Sequence, residues 1–297
     1  MSETTVKQTT IINLLSSWLA RQVEQGGFDW LKQQQKVTFS SSKRVFFTSF
    51  SAVPRYMGKQ KLQLNEAEIQ AARAKCPGWS PQFWRVDQAA RSLLVLSLAQ
   101  GDRKSFPKTL EQVFATADVG ELVALYQMLP LLPCPQQYRL RAAEGIRSNM
   151  IVVFNAVSLH NPYPAEYLDE SAWNQMVLKA LFVGSSLYSI QGLDRRANRT
   201  LSEMLIDYAL ERWAAKRSVS LELWRAMGEF ADETITANWE RVLAHSEPVE
   251  RKAIAFACAK SSNLQASNLQ AQYFKLQESI DSGDSTWTSI TEDSVSN

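Results

Sequence analysis

The chain has little of what most catalytic and membrane-spanning classes require. Its 297 residues include two histidines, His160 and His245, and three cysteines, Cys76, Cys134 and Cys258, an odd number with no close pair. No CxxC or HExxH motif is present, so a disulfide framework and the usual zinc sites have no support, and the thiols point to a reducing, cytoplasmic setting. Walker and dinucleotide glycine patterns are missing, as is a GxSxG nucleophile elbow. No apolar run approaches the roughly 20 residues that cross a bilayer. The N-terminal MSETTVKQTT lacks the basic region and apolar core of a leader. Charge of one sign is also missing. Lys and Arg number 32 against 30 Asp and Glu, and the net +2 gives no general attraction to nucleic acid or membrane.

What is present is helical periodicity over a composition that is 45% hydrophobic and 21% charged, enough to bury a large core. Ile11, Ile12, Leu15, Trp18, Leu19 and Val23 recur at helical spacing, with Gly26-Gly27 expected to stop that helix. From Lys32 to Lys61 there are seven basic residues and no acid, interleaved with Phe46, Phe47, Phe50 and Tyr56. The serines, β-branched residues and Pro54 of this stretch predict looped or extended backbone. Periodicity then resumes. Asn65 is a candidate N-cap, and Leu93, Leu94, Leu96 and Leu98 form a buried run. Gly120 and the Pro130, Pro133, Pro135 cluster bracket ELVALYQML, and the helical pattern after them runs on to His160. The segments 232–245 and 248–260, joined by a short turn, are similar to one hairpin of a HEAT-like solenoid. The expected fold is all-α, layered antiparallel helices, either a HEAT-like α-solenoid or a compact bundle. Its expected parts are an amphipathic helix over 1–27, a basic, aromatic loop or hairpin over 28–64, a helical-repeat domain over 65–278 and a disordered acidic, Ser-rich tail over 279–297.

The centre of the chain carries polar residues inside apolar helices. HNPYP at 160–164 reads as a stiff helix terminator, because Asn161 and Tyr163 each precede a proline and are pushed toward extended geometry. The following helix, AWNQMVLKALF, is apolar in nearly every sector and reads as interior, with Asn174 and Lys179 upon it. Arg147, Asn149, His160, Asn161, Asn174, Lys179, Asp194, Arg195, Arg196 and Arg212 form the candidate ligand-binding set, joined by Asn155, Asn198 and Asp207. Two readings fit them. In one they cap helices and pair between layers, with Asp194 after Gly192 as an N-cap. In the other they line a pocket for an anionic or hydroxylated ligand, and His160 is the candidate base. A metal site from His160, Glu166, Asp169 or Glu170 is compatible with the residue types, but their spacing does not demand one. No metal or cofactor is expected.

GIRSNMIVVFNAV, HNPYP, AWNQMVLKALF, GLDRRAN, LIDYALERWAAKR and LELWR, in that order between Gly145 and Arg225, resemble the EboA family. That resemblance implies a place in the traffic of secondary-metabolite precursors out of the cytoplasm. It also implies partners from a gene neighbourhood that includes a UbiA-type membrane prenyltransferase, a TatD-like hydrolase, a sugar-isomerase-like protein and a dehydroquinate-synthase-like protein. No catalytic residue comes with it. The leading expectation is a non-enzymatic scaffold or metabolite-binding protein, cytoplasmic or held at the inner membrane through a partner. The alternatives are an all-α enzyme on an anionic precursor with His160 as general base, and phosphate or nucleic-acid binding through residues 32–61.

Overall fold

The computed structural model describes residues 3–40, 43–227, 230, 236–240, 253–254 and 257–258. The fold is all-α. Among the described residues extended pairing reduces to one antiparallel bridge between Lys61 and Arg85. The chain forms two compact units, Met1–Leu168 and Asp169–Asn297, so a boundary falls within the stretch expected as one helical-repeat domain. The hairpin behind the HEAT-like expectation lies largely outside the described residues, and the 279–297 tail wholly so.

Unit 1 is built around one buried helix. Its helices are α1 (Glu3–Gln22), α2 (Gln25–Ser40), α3 (Lys43–Met57), α4 (Glu66–Lys75), α5 (Val86–Gly101), α6 (Phe106–Thr116), α7 (Val119–Gln127), α8 (Arg139–Arg147), α9 (Ile151–Ser158) and α10 (Tyr163–Tyr167). Every residue of α5 from Val86 to Ala99 is buried, and α1, α2, α3 and α7 pack on it. Each fully buried Leu or Val there contributes about 1.5–3 kcal/mol of transfer free energy. From α1 come Ile11, Leu15, Trp18 and Leu19, as its periodicity predicts.

The basic stretch forms helices α2 and α3, not a loop or hairpin. Phe46, Phe50, Val53 and Met57 recur at helical spacing and are all buried, and that burial outweighs the weak local preference of Ser and Val against helix. Pro54 sits inside α3. It has no N–H for the carbonyl one turn back, that of Phe50, and Arg91 Nε of α5 donates to that oxygen instead, at 3.2 Å. Gly26 and Gly27 likewise lie in the first turn of α2 and do not end α1, which stops at Gln22. A Cβ at Gly27 would fall 2.4 Å from the Tyr56 carbonyl oxygen, so the glycine permits close contact of α2 with α3.

The helical pattern expected to run to His160 is broken at Ser148, whose Oγ accepts from the Met150 N–H at 3.1 Å as the chain turns from α8 into α9. Gly145 makes the packing of that pair possible. A Cβ there would meet Val157 Cγ2 at 2.6 Å and Tyr126 Cε1 at 2.7 Å. After α9, His160 adopts a left-handed backbone with φ 51°. Tyr163 is not extended: it opens α10, with Pro164 in the first turn, where a missing N–H costs nothing.

Unit 2 contains α11 (Glu170–Val183), α12 (Arg199–Ala214) and 3-10 turns at Leu187–Ser189 and Leu221–Ala226. Asp169 caps α11, accepting from the Ala172 N–H at 2.7 Å, and the left-handed Gly184 ends it. Trp173, Met176, Val177 and Ala180 are buried, but Phe182 is 77% exposed, so α11 has an open face where an interior helix was expected.

Candidate functional site

Unit 1 holds a cleft of about 480 Å³. Three segments wall it, each presenting one face. Phe83 and Trp84 lead into Arg85 and Gln88 at the start of α5; Val119, Gly120, Val123 and Gln127 form one stripe of α7; and Val152, Asn155 and Ala156 form one stripe of α9, continued by Leu159 just after its end. His160 and Asn161 close the end. The α5 segment is fixed by backbone bonds, Leu62 N–H to Trp84 O and Val86 N–H to Gln60 O, both 2.9 Å.

The left-handed turn gives the last two residues different tasks. The Asn161 amide donates to Tyr126 O at 3.1 Å and Ala156 O at 3.0 Å, and its Oδ1 accepts from the Tyr163 N–H, so it fixes the turn. The His160 ring stacks on Phe83, centroids 3.6 Å apart. Burial holds its pKa below the ordinary value, leaving a neutral imidazole at pH 7 with one donor and one acceptor.

Beside the cleft lies a buried charge network. Asp87 is wholly buried and accepts from Arg85 Nε at 2.9 Å and Nη2 at 3.0 Å, one edge of that guanidinium, and from Arg91 Nη1 at 3.1 Å. Arg91 is 2% exposed, lies 3.9 Å from Glu121 and sits over the Phe50 ring. Burial pushes its guanidinium pKa down, while Asp87, then Glu121 and Asp118, pull it up. Glu121 accepts from Ser51 Oγ at 2.6 Å and, with Asp118, forms the capping box of α7. The network therefore joins α3, α5 and α7.

The sequence-derived candidates divide between the two units. In unit 1, Asn155, His160 and Asn161 come together in the cleft, whereas Arg147 and Asn149 are exposed and take no part in it. In unit 2, Asn174 and Asn198 exchange amide hydrogen bonds of 3.1 and 2.9 Å, and Asn198 caps α12 through the Leu201 N–H. Asn198, not Asp194, is thus the N-cap; Asp194 instead holds Arg225 through both carboxylate oxygens. Arg196 lies over the Trp173 ring at 4.8 Å, and Arg212 Nε donates to Ser218 O. Lys179 is half-buried, with its pKa lowered by that burial, and Arg195 and Asp207 are exposed. Sequence reasoning passed over Arg85, Asp87, Gln88, Arg91, Glu121 and Gln127. The available signal was RVDQAAR, an acid and a base one helical turn apart at the head of an otherwise apolar helix.

Among the described residues no group of three or more His, Cys, Asp and Glu side chains is placed to hold a metal ion. Among them, too, no helix is long and apolar enough to cross a membrane. No curated protein and no solved structure matches the chain. The family model described as metabolite traffic protein EboA matches residues 11–228, well beyond the segments between Gly145 and Arg225 and including every wall of the cleft. The chain belongs to the EboA family.

Proposed function

We propose that the chain is a non-enzymatic carrier that takes a small metabolite into the cleft of unit 1, in the service of traffic of secondary-metabolite precursors. The cleft carries this reading. Its volume, about 480 Å³, lies in the range of roughly 300–1,000 Å³ usual for small-molecule sites. Its walls are largely apolar and aromatic, with a few amides, one imidazole and the Arg85 guanidinium to orient a guest. The family's description as metabolite traffic proteins supports the same reading. A cytoplasmic carrier of this kind would pass its guest to a neighbouring protein, and a membrane prenyltransferase of the type implied by the family resemblance is a fitting recipient.

The test is the unfolding temperature of the purified protein with and without small-molecule cell extract, beside Gly120→Leu. Gly120 lines the cleft, and a Cβ there makes only ordinary contacts, with Asp118 Oδ1 at 3.4 Å and Arg91 Nη1 at 3.8 Å; a cooperative melting transition without extract checks that the variant is folded. Extract should raise the melting temperature of the parent and leave the variant unmoved. An equal rise in both would place binding elsewhere and sink the proposal. The molecule recovered from the complex should have the same mass before and after incubation; a changed mass would replace the carrier with an enzyme.

A further inference from the structure

The cleft also indicates what kind of molecule it takes, an inference that rests on the carrier reading. Among its lining residues only Arg85 carries a full charge at pH 7, and none is a carboxylate. Asp87 accepts from Nε and Nη2 of that guanidinium, along one edge. The end of the fork, where Nη1 and Nη2 each project a further hydrogen side by side, is the edge that meets a carboxylate bidentately. Among the described residues nothing accepts from Nη1, and the side chain is 41% exposed. The acids of the network stand behind it: Asp87 is wholly buried and shared with Arg91, and Glu121, 5% exposed, faces Arg91. A guest in the cleft therefore meets the cation first, on a guanidinium whose plane Asp87 already holds. One negative charge is matched there. A phosphate dianion would bring a second charge with no second cation among the lining residues, and a cationic guest would find no carboxylate.

Apolar surface is exposed on every wall of the same cleft. Phe83, before α5, is 48% exposed, Val119 of α7 is 43% exposed and Val152 of α9 is 55% exposed. Single apolar side chains on a surface are ordinary, but these three border one cavity, and a guest that covers them removes their apolar area from water. We infer that the cleft binds an amphipathic monoanion, a carboxylic acid with an apolar ring or chain as its body, whose carboxylate sits on the free end of the Arg85 fork and whose body lies against Phe83, Val119 and Val152. None of the arginines that stood out in the sequence takes part. The cation comes from the N-cap residue of α5.

Cell extract divided by ion exchange into acidic, basic and neutral fractions provides the probe, read as melting temperature. The acidic fraction should carry the rise. Phosphatase treatment of that fraction should leave the rise in place, and carbodiimide coupling to ammonia, which turns each carboxylate into a neutral carboxamide, should abolish it. Arg85→Gln, with a cooperative melting transition without extract as its folding check, should bind the active component about 10-fold more weakly, as loss of a hydrogen-bonded charge implies. A rise in the neutral or basic fraction alone, a rise lost to phosphatase or kept after amidation, or full affinity in Arg85→Gln overturns this inference and leaves the carrier reading intact. Should Arg85→Gln fail to fold, the fractionation, phosphatase and amidation arms, all run on the parent, decide the matter. No rise in any fraction, or a rise that survives Gly120→Leu, overturns the carrier reading itself and this inference with it.

Discussion

Two polar clusters among the described residues, one in each unit, are assembled from different chemistry. In unit 1, Asp87, Arg91 and Glu121 are full charges on α5 and α7, each under a tenth exposed. In unit 2, Asn174 and Asn198 are neutral amides that satisfy one another and the first turn of α12. A buried amide needs only a partner of matching geometry, whereas a buried charge needs an opposite charge and hydrogen bonds to its remaining atoms. The charged cluster is thereby committed to holding three helices at fixed spacing, and the cleft lies between two of them. Unit 2 uses its amides for a local purpose, fixing where one helix begins. The cleft is thus framed by the cluster that tolerates the least change.

Removing one member of each cluster separates the two cases. Arg91→Met should cost about 3–5 kcal/mol, because Asp87 stays buried with only Arg85 opposite it while the Phe50 carbonyl and Glu121 lose a donor and a counter-charge. Urea denaturation reads this directly, and a loss below about 1 kcal/mol would mean that water reaches Asp87. Asn174→Ala should cost less, about 1–3 kcal/mol, since Asn198 keeps the Leu201 N–H and loses only its amide partner. Equal losses would erase the distinction drawn between the clusters.

How much of this was legible in the sequence depended on whether the signal was local. The all-α fold, the capping box at Asn65 and the cap at Asp169 follow from patterns within a few residues, and the structure has them. The helices α2 and α3 were not legible, because their local preferences are poor and the burial of Phe46, Phe50 and Val53 that decides the matter comes from α5 and other neighbours distant in sequence. Pro54 shows the mechanism: its missing donor is supplied by an arginine 37 positions on, and no window of sequence contains both. For the site, His160, Asn161 and Asn155 stood out as polar residues in apolar surroundings. Gln88 and Gln127 did not, since a glutamine in a helix is ordinary until the other two walls of a cleft are known. Arginines drew attention to unit 2, where the structure engages Arg196 on an indole ring, Arg212 on a carbonyl and Arg225 on Asp194.

The link between Pro54 and Arg91 is open to a sharper test than either deletion alone. Pro54→Ala restores an N–H that can reach the Phe50 carbonyl from within α3. In that background Arg91→Met leaves one acceptor fewer unsatisfied, and its cost should fall by about 1 kcal/mol relative to the same change beside Pro54. A double-mutant cycle from urea denaturation gives the coupling. A coupling near zero would show that Arg91 is held by Asp87 and Glu121 alone, so that its bond to α3 contributes nothing to stability.

The smallest effect concerns pH and again separates the units. Each contains a base whose pKa is lowered by burial, His160 in unit 1 and Lys179 in unit 2. For both, the unfolded chain takes up its proton at a higher pH than the folded chain, so stability falls as pH falls through the interval between the two values and is level outside it. For Lys179 that interval begins at its ordinary 10.5, in the alkaline range. For His160 it begins at 6.5, so the loss continues as the solution is acidified from there. His160→Asn tolerates the left-handed backbone and removes the titration. It should flatten the part of the stability profile just below pH 6.5, whereas Lys179→Met should leave that part unchanged. If the parent and His160→Asn lose stability in parallel there, the imidazole takes up its proton as readily in the folded chain as in the unfolded one, and its burial does not hold it neutral.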